Sequence, residues 1–532
     1  MRRGTRFSAI FVAVGVVVVA TGSFLSVAAK PQSTFGAPFK LARADGGTEP
    51  RIAFGPDGRG WIVSNSKGTA VVYSSSNNGR TWTKTTGDPA GQTGPTIDVD
   101  IVVTKTGRIV ASELDSAGLN FPTSFSDDGG KTWTQSRGTQ LADMDRQWLA
   151  AGPDDPKTHQ PSVYLLYHNL LSGTVTHNMW VMKSTDNGAT FGPPIPITLP
   201  GQAAWLDLQC ADSGGPSSLA VNQKTGRIYA FWGTRSSAIG GCAAQPLEVN
   251  VVAATKVWAA TSPDDSPGSW TQSVVADDSA AGRIVGMQLS PGTLDRSGNV
   301  WVTYPESPNG YPNYNGAAIR VKWAPPNMSH WSKPITVAPS GGDGNVLAHI
   351  IAGDPGKIAI AYFHGQRASG ASPAWYLHVA RTDDAMSFAP HVVDESVSSI
   401  PAYTGTASEL MGACGSGPAA GIENGFACGR STDVWGIALD KDCNVHIAWP
   451  AVPNKALHAA PGTYVSSQVG GQPLCGAAAV SHSAQATVLG TRRSKGTAGA
   501  SLPNTGISTS IILGVALLGS AARIGRRLQR AR

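Results

Sequence analysis

Acidic, guanidinium and imidazole side chains recur at two kinds of position, at the starts of one set of short apolar runs and at the ends of the next. The first group comprises Glu49, Arg51, Asp98, Asp100, Asp145, Arg146, Asp212 and Asp433. The second comprises Glu113, Asp115, His168, Arg235, Tyr304, Glu306, His364 and Arg367. Carboxylates mixed with arginines suit a sugar or an anionic ligand, because a guanidinium pairs a carboxylate in bidentate fashion. Asp98, Asp145, Arg146, Asp212 and His364 are the residues expected to bind such a ligand. Two carboxylates facing one another across about 5 to 9.5 Å could instead hydrolyse a glycosidic bond. The competing expectation for each inner Asp is structural, a tie between neighbouring sheets through backbone hydrogen bonds.

The elements that position these groups are short strands. Gly and Pro are abundant, charge is low, and no long stretch has helical periodicity, whereas brief apolar runs bounded by turn residues recur. A Gly-containing turn followed by an alternating strand appears seven times, from Gly60-Trp61-Ile62-Val63 to Cys443-Asn444-Val445-His446. A second repeat, S-x-D-x-G-x-T-W, follows it. Near-perfect copies run from Ser126 to Trp133 and from Ser184 to Phe191, and Ser75 to Trp82 has Asn77 in the Asp position. Weaker copies end at Trp270, Trp331 and Phe388. The Asp or Asn accepts backbone N–H bonds, Gly supplies a conformation that other residues resist, and the aromatic packs between sheets. Asn77, Asp128 and Asp186 are therefore expected to be structural.

Repeats at this spacing imply an all-β propeller of four-stranded antiparallel blades, seven by count, with six as the alternative. The segment Phe35 to Leu41 has the pattern of a fourth strand and precedes any first blade, so it is expected to close the ring. Turns on the box side are tight. The opposite side receives the long loops, including Pro200 to Gly214, Thr234 to Glu248 and Asp394 to Ser431, and is the expected working face.

The boxes resemble those of sialidases and related BNR-repeat propellers, over roughly residues 35 to 475. The resemblance implies glycan chemistry. Enzymes of that family hold an anionic sugar with three arginines and attack it with a Tyr assisted by a Glu. Carried over, Arg51, Arg235 and Arg367 would supply guanidinium groups and Tyr304 with Glu306 the nucleophile and its base. The phenol needs a base because its pKa lies near 10. Arg51 keeps only part of the family's short arginine motif, and Tyr304 and Glu306 share one strand end. The family's enzymes also have six blades. A non-catalytic module that binds glycan or protein is therefore the first expectation, with a sialidase-like exo-glycosidase as the alternative.

The ends address the chain to a surface. Arg2, Arg3 and Arg6 precede an apolar run ending in Val27-Ala28-Ala29, which reads as a signal peptide over residues 1–29. The propeller is expected over 30–475 and an Ala/Ser/Gly-rich stalk over 476–501. Leu502-Pro503-Asn504-Thr505-Gly506, an apolar segment and an Arg-rich tail over 502–532 resemble a sortase sorting signal. Cell-wall attachment through Thr505 is implied, a membrane-anchored form being the alternative. The net charge of +6 is mostly terminal, so no nucleic-acid partner is expected. Neither a cofactor nor a metal is expected, and the body is expected to be a monomer. Six cysteines in an exported chain read as disulfides, here Cys210–Cys242, Cys414–Cys428 and Cys443–Cys475.

Overall fold

Alternating Val, Ile, Ala and aromatic residues between Gly- and Asp-containing turns make short strands that are buried on both faces, and only sheet-on-sheet packing can cover them. The computed structural model describes residues 34–476 apart from 43–48, 67, 93–95, 116–120, 142–143, 170–177, 210–214, 235–253, 281–290, 310–314, 369, 411–434 and 452–461. It contains seven four-stranded antiparallel sheets in a ring, a seven-bladed β-propeller. The innermost strands of blades 1 to 7 are Arg51–Phe54, Thr96–Val103, Met144–Asp154, Pro216–Val221, Gly292–Leu294, Asn345–Ala352 and Gly436–Leu439. The second strands are Gly60–Ser66, Ile109–Asp115, Pro161–Asn169, Ile228–Thr234, Val300–Glu306, Ile358–Gln366 and Val445–Ala451.

The N-terminal strand closes the ring, as its position before the first blade implied. Phe39–Lys40 is the outer strand of blade 7, with Phe39 opposite Val465 and Lys40 opposite Tyr464. A disulfide joins Cys443, in the first turn of blade 7, to Cys475, beyond its third strand. Cys210, Cys242, Cys414, Cys428 and Thr505 lie outside the described residues.

The box hydrogen bonds repeat almost atom for atom. Ser75, Ser126 and Ser184 each accept the N–H of the glycine four residues on, at 3.0, 2.9 and 2.8 Å. Each serine donates to Asn77, Asp128 or Asp186 two residues on. Those three side chains accept the backbone N–H of Thr81, Thr132 and Thr190. Hydrogen bonds from Thr132 and its neighbours hold the Asp128 carboxyl well below the usual carboxylate range. Blade 6 departs from the pattern. Phe388 is fully solvent-exposed, while Ala385 and the half-buried Met386 occupy the intersheet space that box aromatics fill elsewhere.

Candidate functional site

Register places equivalent residues at common heights around the ring. Ile52, Ile101, Leu149, Leu219, Gly292, Ile350 and Ile437 lie opposite Ile62, Ala111, Leu165, Ala230, Val302, Ile360 and Ile447. One residue earlier on the inner strands stand Arg51, Asp100, Trp148, Ser218, Pro291, His349 and Gly436. All seven are buried, and Arg51, Asp100, Trp148 and Ser218 hydrogen-bond to neighbouring blades near the axis. Arg51 donates from Nε to the Val99 carbonyl and from Nη1 to the Trp435 carbonyl, both at 3.3 Å. Its guanidinium lies 4.3 Å from the Trp148 ring centroid. Gly436 lets the inner strands of blades 7 and 1 pack closely, since a Cβ there would meet Ile52 N at 2.7 Å.

Asp100 accepts the N–H of Ile101 in its own blade and of Leu149 in blade 3, at 2.9 and 2.7 Å. Burial raises its pKa to about 6, against the pull of Arg51 and the two N–H groups. His349 packs tilted against Trp435, with ring centroids 3.9 Å apart and planes at 45°. Burial, with the Arg51 charge next, pushes the His349 pKa well below the ordinary imidazole value. The geometry thus gives Arg51 and Asp100 a structural part, binding blades 7, 1, 2 and 3 together near the axis.

Two residues toward the long-loop face, the second strands carry Ser64, Glu113, Tyr167, Trp232, Tyr304, Tyr362 and Trp449. Glu113 stands where five other blades have an aromatic ring. It is buried, neither carboxylate oxygen has a hydrogen-bond partner, and burial with the nearby Asp88 and Asp115 raises its pKa to about 8. Two residues further on lie Ser66, Asp115, Asn169, Thr234, Glu306, His364 and Ala451, at the strand ends of the long-loop face.

Blade 5 brings Tyr304 and Glu306 together. Tyr304 lies opposite Arg320 on the third strand, and Arg320 Nε donates to Glu306 Oε2 at 2.7 Å. Burial and then the Glu306 charge raise the Tyr304 pKa, with Arg320 opposing. In blade 6, Arg367 Nη2 donates to Asp343 Oδ1 at 2.5 Å, and His364 Nδ1 lies 2.7 Å from Asn345 Oδ1. Arg51 of blade 1 is held by Val99 of blade 2 and Trp435 of blade 7, whereas Arg367 of blade 6 is held by Asp343 in its own blade, so the pair does not share a described site.

Asp98 is buried in blade 2, where its carbonyl accepts from Gln147 Nε2 of blade 3 at 3.0 Å. Arg146 is buried with φ 56°, at the height of Glu49 and Leu347, whose φ values are 54° and 56°. Asp145 is opposite His168 in the backbone register. Asp212, Arg235 and Asp433 lie outside the described residues. Among the described residues, no group of three or more His, Cys, Asp or Glu is placed to hold a metal ion. Sequence reasoning missed Arg320, His349, Asp343, His378 and Asp394. Arg320, His378 and Asp394 sit on third and fourth strands, outside the two repeats that supplied candidates.

Residues 51–307 match the family model described as a BNR repeat-like domain. No curated protein matches the chain. Similar solved structures include an ulvan lyase bound to -[GlcA(1-4)Rha3S]-, with 11% identity and a TM-score of 0.48 over 80% of this chain and 95% of that one. Another is an α-L-arabinofuranosidase from Fusarium graminearum with an iminosugar inhibitor, at 12% identity and TM-score 0.41, covering 67% of this chain and 100% of that one. A third is an α-L-arabinanase from Penicillium chrysogenum with arabinobiose, at 12% identity and TM-score 0.37, covering 68% and 95%. The match over 51–307 and the seven-bladed ring together support the sialidase-like BNR propeller superfamily for this chain.

Proposed function

We propose that the protein is an exported, surface-anchored propeller that binds a glycan or protein ligand through its long-loop face. The observation that carries this reading is the asymmetry of the two faces. On one, box and turn side chains are engaged in local backbone bonds, as at Asp128 and Asp295. On the other, the strand ends present Glu306, Arg320, His364 and Arg367, groups that suit hydroxyls and anions. Export by residues 1–29 and sortase attachment at Thr505 belong to the same proposal, with a monomeric body and no cofactor. Mass spectrometry of wall-digested material, ending at Thr505 joined to a wall fragment, tests the attachment.

A hydrolytic second reading is favoured by one observation, the buried phenol of Tyr304 beside Glu306 and Arg320. A sialidase would release 4-methylumbelliferone from its sialoside, and another exo-glycosidase would release it from a neutral glycoside. The binding reading expects no turnover of either together with positive signals on a glycan array. Turnover abolished by Tyr304→Phe and by Glu306→Gln would replace binding with hydrolysis.

A further inference from the structure

The chain end Leu474 to Gly476 is pinned to the first turns of two blades. Asp354, in the first turn of blade 6, donates its N–H to the Leu474 carbonyl at 2.8 Å and accepts the Gly476 N–H on Oδ2 at 2.7 Å. Lys357 Nζ of the same turn donates to the Gly476 carbonyl at 2.8 Å. Leu474 in turn donates its N–H to the carbonyl of Cys443, in the first turn of blade 7, at 3.0 Å. Gly353 makes room for the crossing, since a Cβ there would meet the Leu474 oxygen at 2.0 Å. The Cys443–Cys475 disulfide is the covalent part of this clasp.

The two sulfurs have different surroundings. Arg296, from the first turn of blade 5, holds Nη2 3.2 Å from Cys443 Sγ. Its side chain is 46% exposed and its Nη1 lies 3.6 Å from Asp354 Oδ1, so solvent and a carboxylate temper its field. At contact distance the guanidinium still stabilises negative charge on the Cys443 sulfur. In thiol–disulfide exchange the sulfur with the more stable thiolate leaves faster. Local opening points the same way. The Cys443 turn is closed by its own bonds, from Cys443 N–H to the Asp440 carbonyl and from the N–H groups of Asp442 and Asn444 to Asp440 Oδ1. Cys475 is followed directly by the exposed Gly476, where the bonds to Asp354 and Lys357 are the last of the clasp. An end held at the surface opens before a closed inner turn, and it carries Cys475 with it.

We infer that this disulfide is a thiol-cleavable clasp, opened by an external dithiol that attacks Cys475 Sγ. A new S–S bond forms between the reductant and Cys475. The Cys443–Cys475 bond breaks, and its electron pair leaves on Cys443 Sγ beside Arg296. The second thiolate of the reductant then attacks its own sulfur in the mixed disulfide and expels Cys475. Two electrons pass from the dithiol, which becomes a disulfide, to the cysteine pair. The protons that the dithiol sheds return through solvent to the released sulfurs. Opening leaves the blade 7 turn in place and turns residues 474–476 from a pinned end into a free one. The switch goes beyond the proposed binding reading and needs neither ligand nor wall attachment.

The test uses the full chain, purified without reductant. A pulse of glutathione, an acid quench and alkylation with N-ethylmaleimide are followed by peptide mass spectrometry. Glutathione is expected on Cys475 and the maleimide on Cys443. Arg296→Gln is expected to slow opening about three- to tenfold, and Arg296→Lys to keep most of the rate. Hydrogen exchange then compares the wild type with the double variant Cys443→Ser, Cys475→Ser. The amides of Leu474 and Gly476 are expected to exchange about tenfold faster in the variant, with the amide at position 443 as slow as before. Glutathione found on Cys443, or equal opening rates in Arg296→Gln and the wild type, would overturn the assignment of the two sulfurs. A disulfide that dithiothreitol reduces only when the chain unfolds, or unchanged exchange at Leu474 and Gly476, would overturn the switch. If Arg296→Gln fails to fold, the position of glutathione in the wild type decides.

Discussion

The guanidinium of Arg51 lies over the indole of Trp148, with Cζ 4.3 Å from the ring centroid, although the two residues belong to blades 1 and 3. Asp100 of blade 2 stands between them in the ring order, its Oδ1 4.0 Å from Arg51 Nε. One residue from each of three successive blades therefore meets near the axis. Removing the cation leaves the buried Asp100 carboxylate with its two backbone N–H donors but no counter-charge. Arg51→Met is expected to cost about 3–5 kcal/mol of stability, the usual penalty for breaking a buried pair. The loss should shrink toward pH 5, where Asp100 can take up a proton, and Arg51→Met with Asp100→Asn should recover part of it. Urea unfolding at pH 5 and pH 8 checks both statements.

Glu113 makes stability depend on pH in an unusual direction. Its folded pKa, about 8, lies above the ordinary value of 4.5, so the native state holds a proton that the unfolded chain has released. Stability from this group therefore falls as pH rises from about 4.5 to 8, by at most about 1.4 kcal/mol per unit. Asp100 acts with the same sign only up to about 6, and His349 acts oppositely only below 6.5. Between pH 6.5 and 8, Glu113→Gln is expected to flatten the dependence and to raise the urea midpoint at pH 8. An unchanged slope in that window would remove the assignment.

Cys443 occupies the place in its turn that glycine holds in five other blades. Its φ is 61°, against 72° to 85° for Gly58, Gly107, Gly226, Gly298 and Gly356. A side chain in this left-handed region costs about 1–2 kcal/mol, which glycine avoids. Compared in a Cys475→Ser background, Cys443→Gly should be more stable than Cys443→Ser by about that amount. Both should lie below the wild type, by about 2–4 kcal/mol for the serine pair. Thermal unfolding under oxidising conditions measures the order.

The boxes predict a chemical equivalence. Asn77 fills in blade 1 the role that Asp128 fills in blade 2, with the same threonine N–H bond. Asp128→Asn should leave the melting temperature nearly unchanged and Asp128→Ala should lower it. Neither should alter ligand binding, because the box lies on the face away from the long loops.

What could be read from the sequence was local. Box, turn and strand recur within each blade, so the blade count, the closing strand and the structural role of Asn77, Asp128 and Asp186 follow from spacing. The association of Arg51 with Trp148, or of His349 with Trp435, depends on the radius at which seven sheets meet. No spacing along the chain encodes that radius. His378 and Asp394 were hidden for a different reason. They sit on the third and fourth strands of blade 6, and the first two strands alone supplied candidates. The alternation Tyr362-x-His364 across from Tyr376-x-His378 is the signal that could have found them. Phe388 shows the limit of motif reasoning, since a decayed box keeps its aromatic residue without its packing.

The docking of residues 474–476 has a mechanical consequence. Asp354 N–H bonds the Leu474 carbonyl, Lys357 Nζ bonds the Gly476 carbonyl, and Cys475 is linked to Cys443. A pull on the chain beyond Gly476 therefore reaches blade 6 and the first turn of blade 7 before the strand Gly462–Ser467. The strand that would peel first under tension, together with its partner Phe39–Lys40, is bypassed. Traction enters the ring through a covalent bond to its interior, and the seam where the two ends of the propeller meet stays slack.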